Sequence, residues 1–250
     1  MRWIYLSPHF DDAVLSCGGL IYEQARQAVE MLHGSVSTVE IWTILAGDPP
    51  PGPLSEFAMQ NHALWGAVGA VETLAMRRDE DEAAASLLGA DLLHIDIPDC
   101  IYRRSPKGEY LYKETVIASP HPADRKLPAR IAGAIKSELI KDDVLVCPLA
   151  VGGHVDHILV RKAAESLRRP LLYYADVPYV LNTPQALEPA VVALEGRVYP
   201  VSETGLEAWL NGVAAYRSQL DSLFKGTGTL SDAIRSYWDR ESGIRLWRIH

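Results

Sequence analysis

Short apolar runs alternate along this chain with longer stretches whose apolar residues recur every three or four positions, which predicts strand and helix in turn. Residues 2–7 read as a buried strand. Residues 18–32 read as a helix that ends at His33-Gly34, since glycine suits the position just past a helix. Residues 36–45, β-branched and apolar, form a second strand. Residues 46–53 hold two glycines and four prolines and are a loop. Ser55 is placed to cap a helix over 56–69. Residues 71–76 read as a third strand, and 77–82 open a helix, acidic in its first turn, that runs to Leu88-Gly89. Further strands are expected at 92–97, 144–147, 171–175 and 198–201, and further helices at 129–140, 158–167 and 203–220. Residues 177–195 have no clear reading. A Gly-Thr-Gly-Thr turn follows the last helix, and 244–249 alternates as an edge strand does.

This alternation predicts an α/β fold with a mainly parallel sheet. In such sheets ligands bind beyond the carboxyl ends of the strands. Without internal repeats or a linker, residues 1–250 are expected to form a single domain. Residues 98–128 are long, polar and proline-bearing, with Tyr102, Tyr110 and Tyr112. A loop of that length is a lid or substrate wall, or else an insertion with no set structure.

Composition narrows the partners. Hydrophobic content of 48% and charged content of 22% are ordinary for a globular protein, and 250 residues bury a core without disulfides. A net charge of −8 argues against nucleic acid and anionic membrane surfaces. Cys17, Cys100 and Cys147 are odd in number and far apart, neither a disulfide framework nor a CxxC site. With no secretory leader and no apolar run long enough to span a bilayer, a cytoplasmic location is expected. A homo-oligomer is compatible with the apolar content.

Two stretches carry the chemistry. Ser7-Pro8-His9-Phe10-Asp11-Asp12 follows the first strand and precedes Cys17-Gly18-Gly19; Gly152-Gly153-His154-Val155-Asp156-His157 follows another. Both fall on the same edge of the expected sheet. His9, Asp12 and His157 form an imidazole–carboxylate–imidazole set, and three such ligands with an open fourth position are the pattern of catalytic zinc. Asp11, diverging from its neighbour, is free to serve as general base. His154 can donate to an oxyanion or leaving group, and Asp156 can orient either His154 or a metal-binding histidine. The paired glycines allow close backbone approach or simply suit a helix start. Cys17 reads as a small buried residue rather than a nucleophile. His33, His62, His94, His121 and His250 read as structural or exposed. There is no P-loop, GxGxxG or Gly-x-Ser-x-Gly signature.

These two loops resemble those of the LmbE-like, or PIG-L, family of metal-dependent deacetylases, marked by a His-Pro-Asp-Asp-like loop and a later His-x-Asp-His loop. The resemblance implies a Rossmann-like three-layer sandwich with the active site at the carboxyl edge of the strands. It implies one Zn²⁺ per chain, with Fe²⁺ or another divalent metal as alternatives. The implied substrate is a small N-acetylated amino sugar, such as an N-acetylglucosamine derivative, or a glycoconjugate. Hydrolysis would break its linear amide bond. By position, His9, Asp12 and His157 would bind metal, Asp11 would activate the metal-bound water, and His154 would act as electrophilic or acid partner. Arg77-x-x-Glu80-x-x-Ala83-Ala84 resembles the family's helix behind the site. Arg77 would reach a sugar hydroxyl, or merely pair with Glu80 or Asp81. Tyr216-Arg217-Ser218-Gln219 also has a family look. The chain departs in three places: Phe10 stands for the usual proline, Ala13 for glutamate, and Gly152 for a tyrosine that helps bind the oxyanion. That tyrosine is then expected from Tyr102 or from Tyr173-Tyr174. Two other readings stay open: a different mononuclear metal-dependent hydrolase, acting on a phosphoester or peptide, and a non-catalytic sugar-binding module.

Overall fold

The computed structural model describes residues 1–30, 38–67, 69–223 and 228–249. The expected helix end at His33-Gly34 and the first half of the Gly-Thr-Gly-Thr turn lie outside them. In chain order the strands are β1 (Arg2–Ser7), β2 (Thr38–Thr43), β3 (Asp91–His94), β4 (Val144–Pro148), β5 (Leu171–Tyr174), β6 (Leu194–Pro200) and β7 (Gly243–Ile249). The helices are α1 (Asp12–Glu30), α2 (Glu56–Leu64), α3 (Ala70–Leu88), α4 (Leu127–Glu138), α5 (Val155–Ser166), the short α6 (Tyr179–Asn182) and α7 (Leu187–Val191), then α8 (Glu203–Ala214), α9 (Arg217–Leu223) and α10 (Leu230–Asp239).

All seven strands join one mixed sheet in the order β3-β2-β1-β4-β5-β7-β6. The pairs β3–β2, β2–β1, β1–β4 and β4–β5 are parallel, whereas β7 runs antiparallel to both β5 and β6. The chain steps outward from β1 to β2 and β3, then returns to β4 on the other flank of β1. Right-handed crossovers in opposite directions put their helices on opposite faces of the sheet. Accordingly α1, α3 and α8 pack together, and α4 packs with α5. Because the connections reverse between β1 and β4, the topological switch point of the sheet lies between those two strands, the place where ligands of such sheets bind.

Four expectations of secondary structure fail. The helix expected at 18–32 starts earlier, at Asp12, because the Ser7 hydroxyl accepts from the Ala13 amide (3.0 Å) and the Asp12 carboxylate accepts from the His9 amide (2.8 Å). Residues 71–76 are not a strand but the start of α3. Its buried positions Thr73, Leu74, Arg77, Asp81, Ala84, Ala85 and Leu88 recur at helical spacing, and a six-residue window was too short to display that period. The helix does end at Gly89, in left-handed conformation (φ 70°), and Ser55 does cap α2. Residues 203–220 are broken at Tyr216, whose fully buried hydroxyl donates to Asp81 Oδ1 (2.7 Å) while Ser218 bonds Glu80 (2.7 and 2.8 Å). The Tyr216–Gln219 stretch therefore docks α9 on α3. Finally, β7 is interior to the sheet, and β6 is the edge strand beside it.

Gly18 sets the spacing of α1 against α8. A Cβ there would lie 2.5 Å from Cδ1 of Trp209, a fully buried side chain whose indole donates to the Val14 carbonyl (2.8 Å). Gly18→Ala must push the indole aside, and overpacking of this kind destabilises by about 1–3 kcal/mol. The expected result is a lower midpoint in urea unfolding with an unchanged slope; wild-type stability would show that the two helices part freely.

Among the described residues, no helix is long and apolar enough to cross a membrane.

Candidate active site

The loops after β1 and β4 bring four titratable side chains together. His9 Nδ1 lies 3.2 Å from Asp12 Oδ2, and His157 Nε2 lies 3.2 Å from Asp12 Oδ1. The His154 ring centroid is 4.8 Å from that of His9 and 5.0 Å from that of His157. All four are buried. Ligating nitrogens of His9, His154 and His157 also lie within 4.8 Å of one another and form a three-histidine set, while Asp12 meets His9 and His157 through different oxygens of its carboxylate.

Each histidine is oriented through its second ring nitrogen. His157 Nδ1 lies 2.6 Å from Asp176 Oδ1, and Asp176 also accepts from the Val151 amide (2.9 Å). Asp176 follows β5, the strand next to β4. Sequence reasoning missed it, because a lone aspartate after an apolar run has no distinguishing motif around it. His9 Nε2 lies 3.1 Å from Asp156 Oδ2, so Asp156 orients His9 rather than His154. His154 is the N-cap of α5, and its Nδ1 accepts from the Asp156 amide (3.2 Å). The proton of the neutral His154 ring therefore sits on Nε2. Burial holds His154 well below its ordinary pKa, helped by His9 and His157.

The charge balance is compatible with a cation. Burial opposes a charged His157, but Asp12 and Asp176 outweigh it and take the ring up to about 9. His9 is raised well above its ordinary value in the same way, against burial, by Asp99, Asp12 and Asp156. Asp12, though buried, is held well below the usual carboxylate range by His157 and His9. With Nδ1 on Asp176, the buried His157 Nε2 faces Asp12 without an aligned hydrogen bond. A nitrogen lone pair aimed beside a carboxylate, in a pocket that otherwise binds extra protons, fits a divalent cation that would displace them. Ligand atoms about 2.0–2.2 Å from a tetrahedral ion lie roughly 3.3–3.6 Å apart, close to the 3.2 Å that separates His9 Nδ1 from Asp12 Oδ2 and His157 Nε2 from Asp12 Oδ1.

Asp11 sits beside this set, buried, its carboxyl pushed up to about 6 by burial and by Asp12. Its nearest cation is Arg77, with Nη2 3.8 Å from Oδ1. Arg77 pairs with neither Glu80 nor Asp81, which are taken by Ser218 and by Thr43, His94 and Tyr216. Its guanidinium lies between the rings of Phe10 (5.0 Å) and Trp65 (4.6 Å), and its buried Nε has no hydrogen-bond partner. Phe10, where proline was expected, thus forms one wall of the arginine's slot.

The tyrosines expected beside the site are engaged elsewhere. Tyr102 hydroxyl is 2.7 Å from His62 Nε2, Tyr174 donates to the Leu6 carbonyl (3.0 Å), and Tyr173 approaches Glu165 (3.4 Å). The tyrosine that does face the histidines is Tyr179, at the start of α6, with its ring 5.5 Å from His157 and 6.5 Å from His154. Gly152, at φ 91°, makes room for it: a Cβ there would lie 2.4 Å from Tyr179 Cδ1. The remaining described histidines are structural. His62 meets Tyr102, His94 meets Asp81, and His121 accepts from the Ala123 amide. Cys17 is buried, its thiol pushed well up by burial, as expected of a packing residue.

The model of a family described as PIG-L, GlcNAc-PI de-N-acetylase, matches residues 4–167. A 2'-N-acetylparomamine deacetylase of Niallia circulans is 27% identical across 99% of this chain and 94% of its own length. A second 2'-N-acetylparomamine deacetylase, of Streptomyces fradiae, is 31% identical over 71% of this chain and 57% of its own length. The zinc inhibited form of the teicoplanin deacetylase Orf2 superposes with a TM-score of 0.85 at 26% identity, covering 99% of this chain and 97% of that one.

Proposed function

The chain belongs to the PIG-L family, and on that premise we propose that it hydrolyses the N-acetyl, or a related N-acyl, group of an amino sugar or glycoconjugate. Similarity to a 2'-N-acetylparomamine deacetylase and to the teicoplanin deacetylase Orf2 supports a glycosylated small molecule as substrate. The observation that carries the reading is the His157 ring. Asp176 holds one nitrogen, and the other is presented, unpaired, to an Asp12 carboxylate that also meets His9.

His9, Asp12 and His157 would hold the divalent cation, with zinc as the expected ion. Asp12 fits better than His154 as the third ligand, because it touches both other members and brings the negative charge that a dication needs. When bound, the cation supplies Lewis-acid polarisation of the acyl carbonyl and lowers the pKa of water. Asp11 takes the proton of the attacking water. His154 keeps Nε2–H as a donor for the oxygen that becomes negative as the tetrahedral centre forms, and Tyr179 lies beside it. The proton held by Asp11 passes to the leaving nitrogen, so that water and amide become acetate and amine. Arg77, with unused N–H groups, binds a hydroxyl of the sugar.

Acetate release is the test, measured with 2'-N-acetylparomamine, an N-acylated glycopeptide and simple N-acetylglucosaminides at one equivalent of zinc. Zinc is kept stoichiometric because a similar enzyme occurs in a zinc-inhibited form. Release from at least one is expected. No release from protein that carries its zinc would overturn the reading, and turnover of a phosphoester instead would replace it.

A further inference from the structure

We propose that Arg103 is a positioning residue for the metal set, so that the 98–128 segment is a built part of the site rather than a cover or a passive insertion. The inference rests on the metal-binding reading above.

Arg103 follows a short 3-10 turn (Cys100–Tyr102) and is buried. Its guanidinium joins two carboxylates. Nε and Nη2 each lie 3.0 Å from Asp124 Oδ2, and Nη2 forms a 2.6 Å ion pair with Asp156 Oδ1 that is not aligned as a hydrogen bond. Its flat face lies over the Tyr112 ring at 5.4 Å, and the Tyr112 hydroxyl donates to Asp124 Oδ2 (2.8 Å). Arg103, Tyr112 and Asp124 all belong to the 98–128 segment, so the segment presents its own arginine on its own scaffold.

What the arginine holds is the carboxylate behind His9. The other oxygen of Asp156 accepts from the Cys100 amide (2.9 Å) and meets His9 Nε2 (3.1 Å). Three groups therefore converge on Asp156, and two of them come from the segment. Asp156 is fully buried, and a buried carboxylate keeps its charge and place only with a counter-charge in contact. Arg103 supplies it. With Asp156 fixed, the His9 ring donates through Nε2 and turns Nδ1 toward Asp12, the orientation that ligation requires. Two further contacts anchor the segment to the same loop: the Val155 amide donates to the Val116 carbonyl (2.9 Å), and Ile117 bridges to His154.

The test compares wild type with Arg103→Met, Arg103→Lys and the neighbouring control Arg104→Met. Arg104 bonds Pro51, Pro53 and Tyr110, away from the ligands. Zinc affinity is measured by competition with a chromophoric chelator, and ligand geometry by the visible spectrum of the Co²⁺-substituted protein. Arg103→Met should weaken zinc about 10–100-fold, as loss of groups that orient ligands commonly does, and alter the cobalt spectrum. Arg103→Lys keeps a cation but not the fork and should fall between, while Arg104→Met should match wild type. Wild-type affinity and an unchanged cobalt spectrum in folded Arg103→Met would overturn the proposal. Where that variant fails to fold, an unchanged cobalt spectrum in Arg103→Lys would do the same. If wild type itself takes up neither metal, the metal-binding reading falls and takes this inference with it. Metal uptake without acetate release removes only the substrate assignment.

Discussion

His157→Gln should leave the protein without stoichiometric zinc and reduce acetate release by more than the roughly 100-fold that follows loss of an orienting group. Glutamine is the informative choice because His157 serves two masters. Its Nδ1 meets Asp176, a buried carboxylate that also accepts from the Val151 amide. Alanine would strip that carboxylate of its main partner, and breaking a buried pair from one side costs about 3–5 kcal/mol. A glutamine amide can still donate to Asp176, yet it offers no imidazole lone pair to a cation beside Asp12. Metal content after gel filtration, read together with a thermal melt, separates ligand loss from unfolding. A folded variant that retains one zinc with wild-type affinity would remove His157 from the metal set. His154, whose nitrogen also lies within reach of His9 and His157, would then take its place.

The two histidine loops were legible because the chemistry is concentrated in six-residue stretches that directly follow apolar strands. That they meet was legible only through topology. The order β2-β1-β4 makes the parent strands parallel neighbours with carboxyl ends on one edge, so residues about 145 positions apart come into contact. What escaped sequence reasoning lies where a single residue acts without a local pattern. Asp176 stands alone after β5. Tyr179 sits in a stretch with no periodicity, and only its fit against Gly152 marks it. Arg103 and Asp124 lie in a polar loop where one more charge carries no information until burial is known. The start of α3 was misread for a related reason. Its outward Val71 and inward Leu74 sit in a window shorter than two helical turns, where strand and helix periods cannot be told apart. The antiparallel β7 was misplaced because alternation reports which faces a strand buries, not whether another strand will cover its outer edge.

Asp11→Asn should bind zinc as wild type does while turnover falls about 10²–10⁴-fold, the usual share of a general base. Asparagine fills the same volume, and position 11 contributes no atom to the proposed ligand set, so the cation should remain. What is lost is the ability to accept a proton. The geometry favours Asp11 over its neighbours for this task, because each of the others is already engaged. Asp12 meets two histidines, Asp156 meets Arg103, His9 and the Cys100 amide, and Asp176 meets His157. Asp11 meets the Arg77 guanidinium at 3.8 Å, near enough to favour its charged form and too far to hold its oxygen in a hydrogen bond. The arginine is itself clamped between Phe10 and Trp65, so the carboxylate is set without being consumed. Steady-state turnover alongside bound zinc distinguishes the two ways the variant can fail. Slow turnover with full zinc marks a proton acceptor, and slow turnover with lost zinc marks a ligand. Full turnover in Asp11→Asn would return the proton to another group, and His154, the one neutral base beside the set, would be the residue to mutate next.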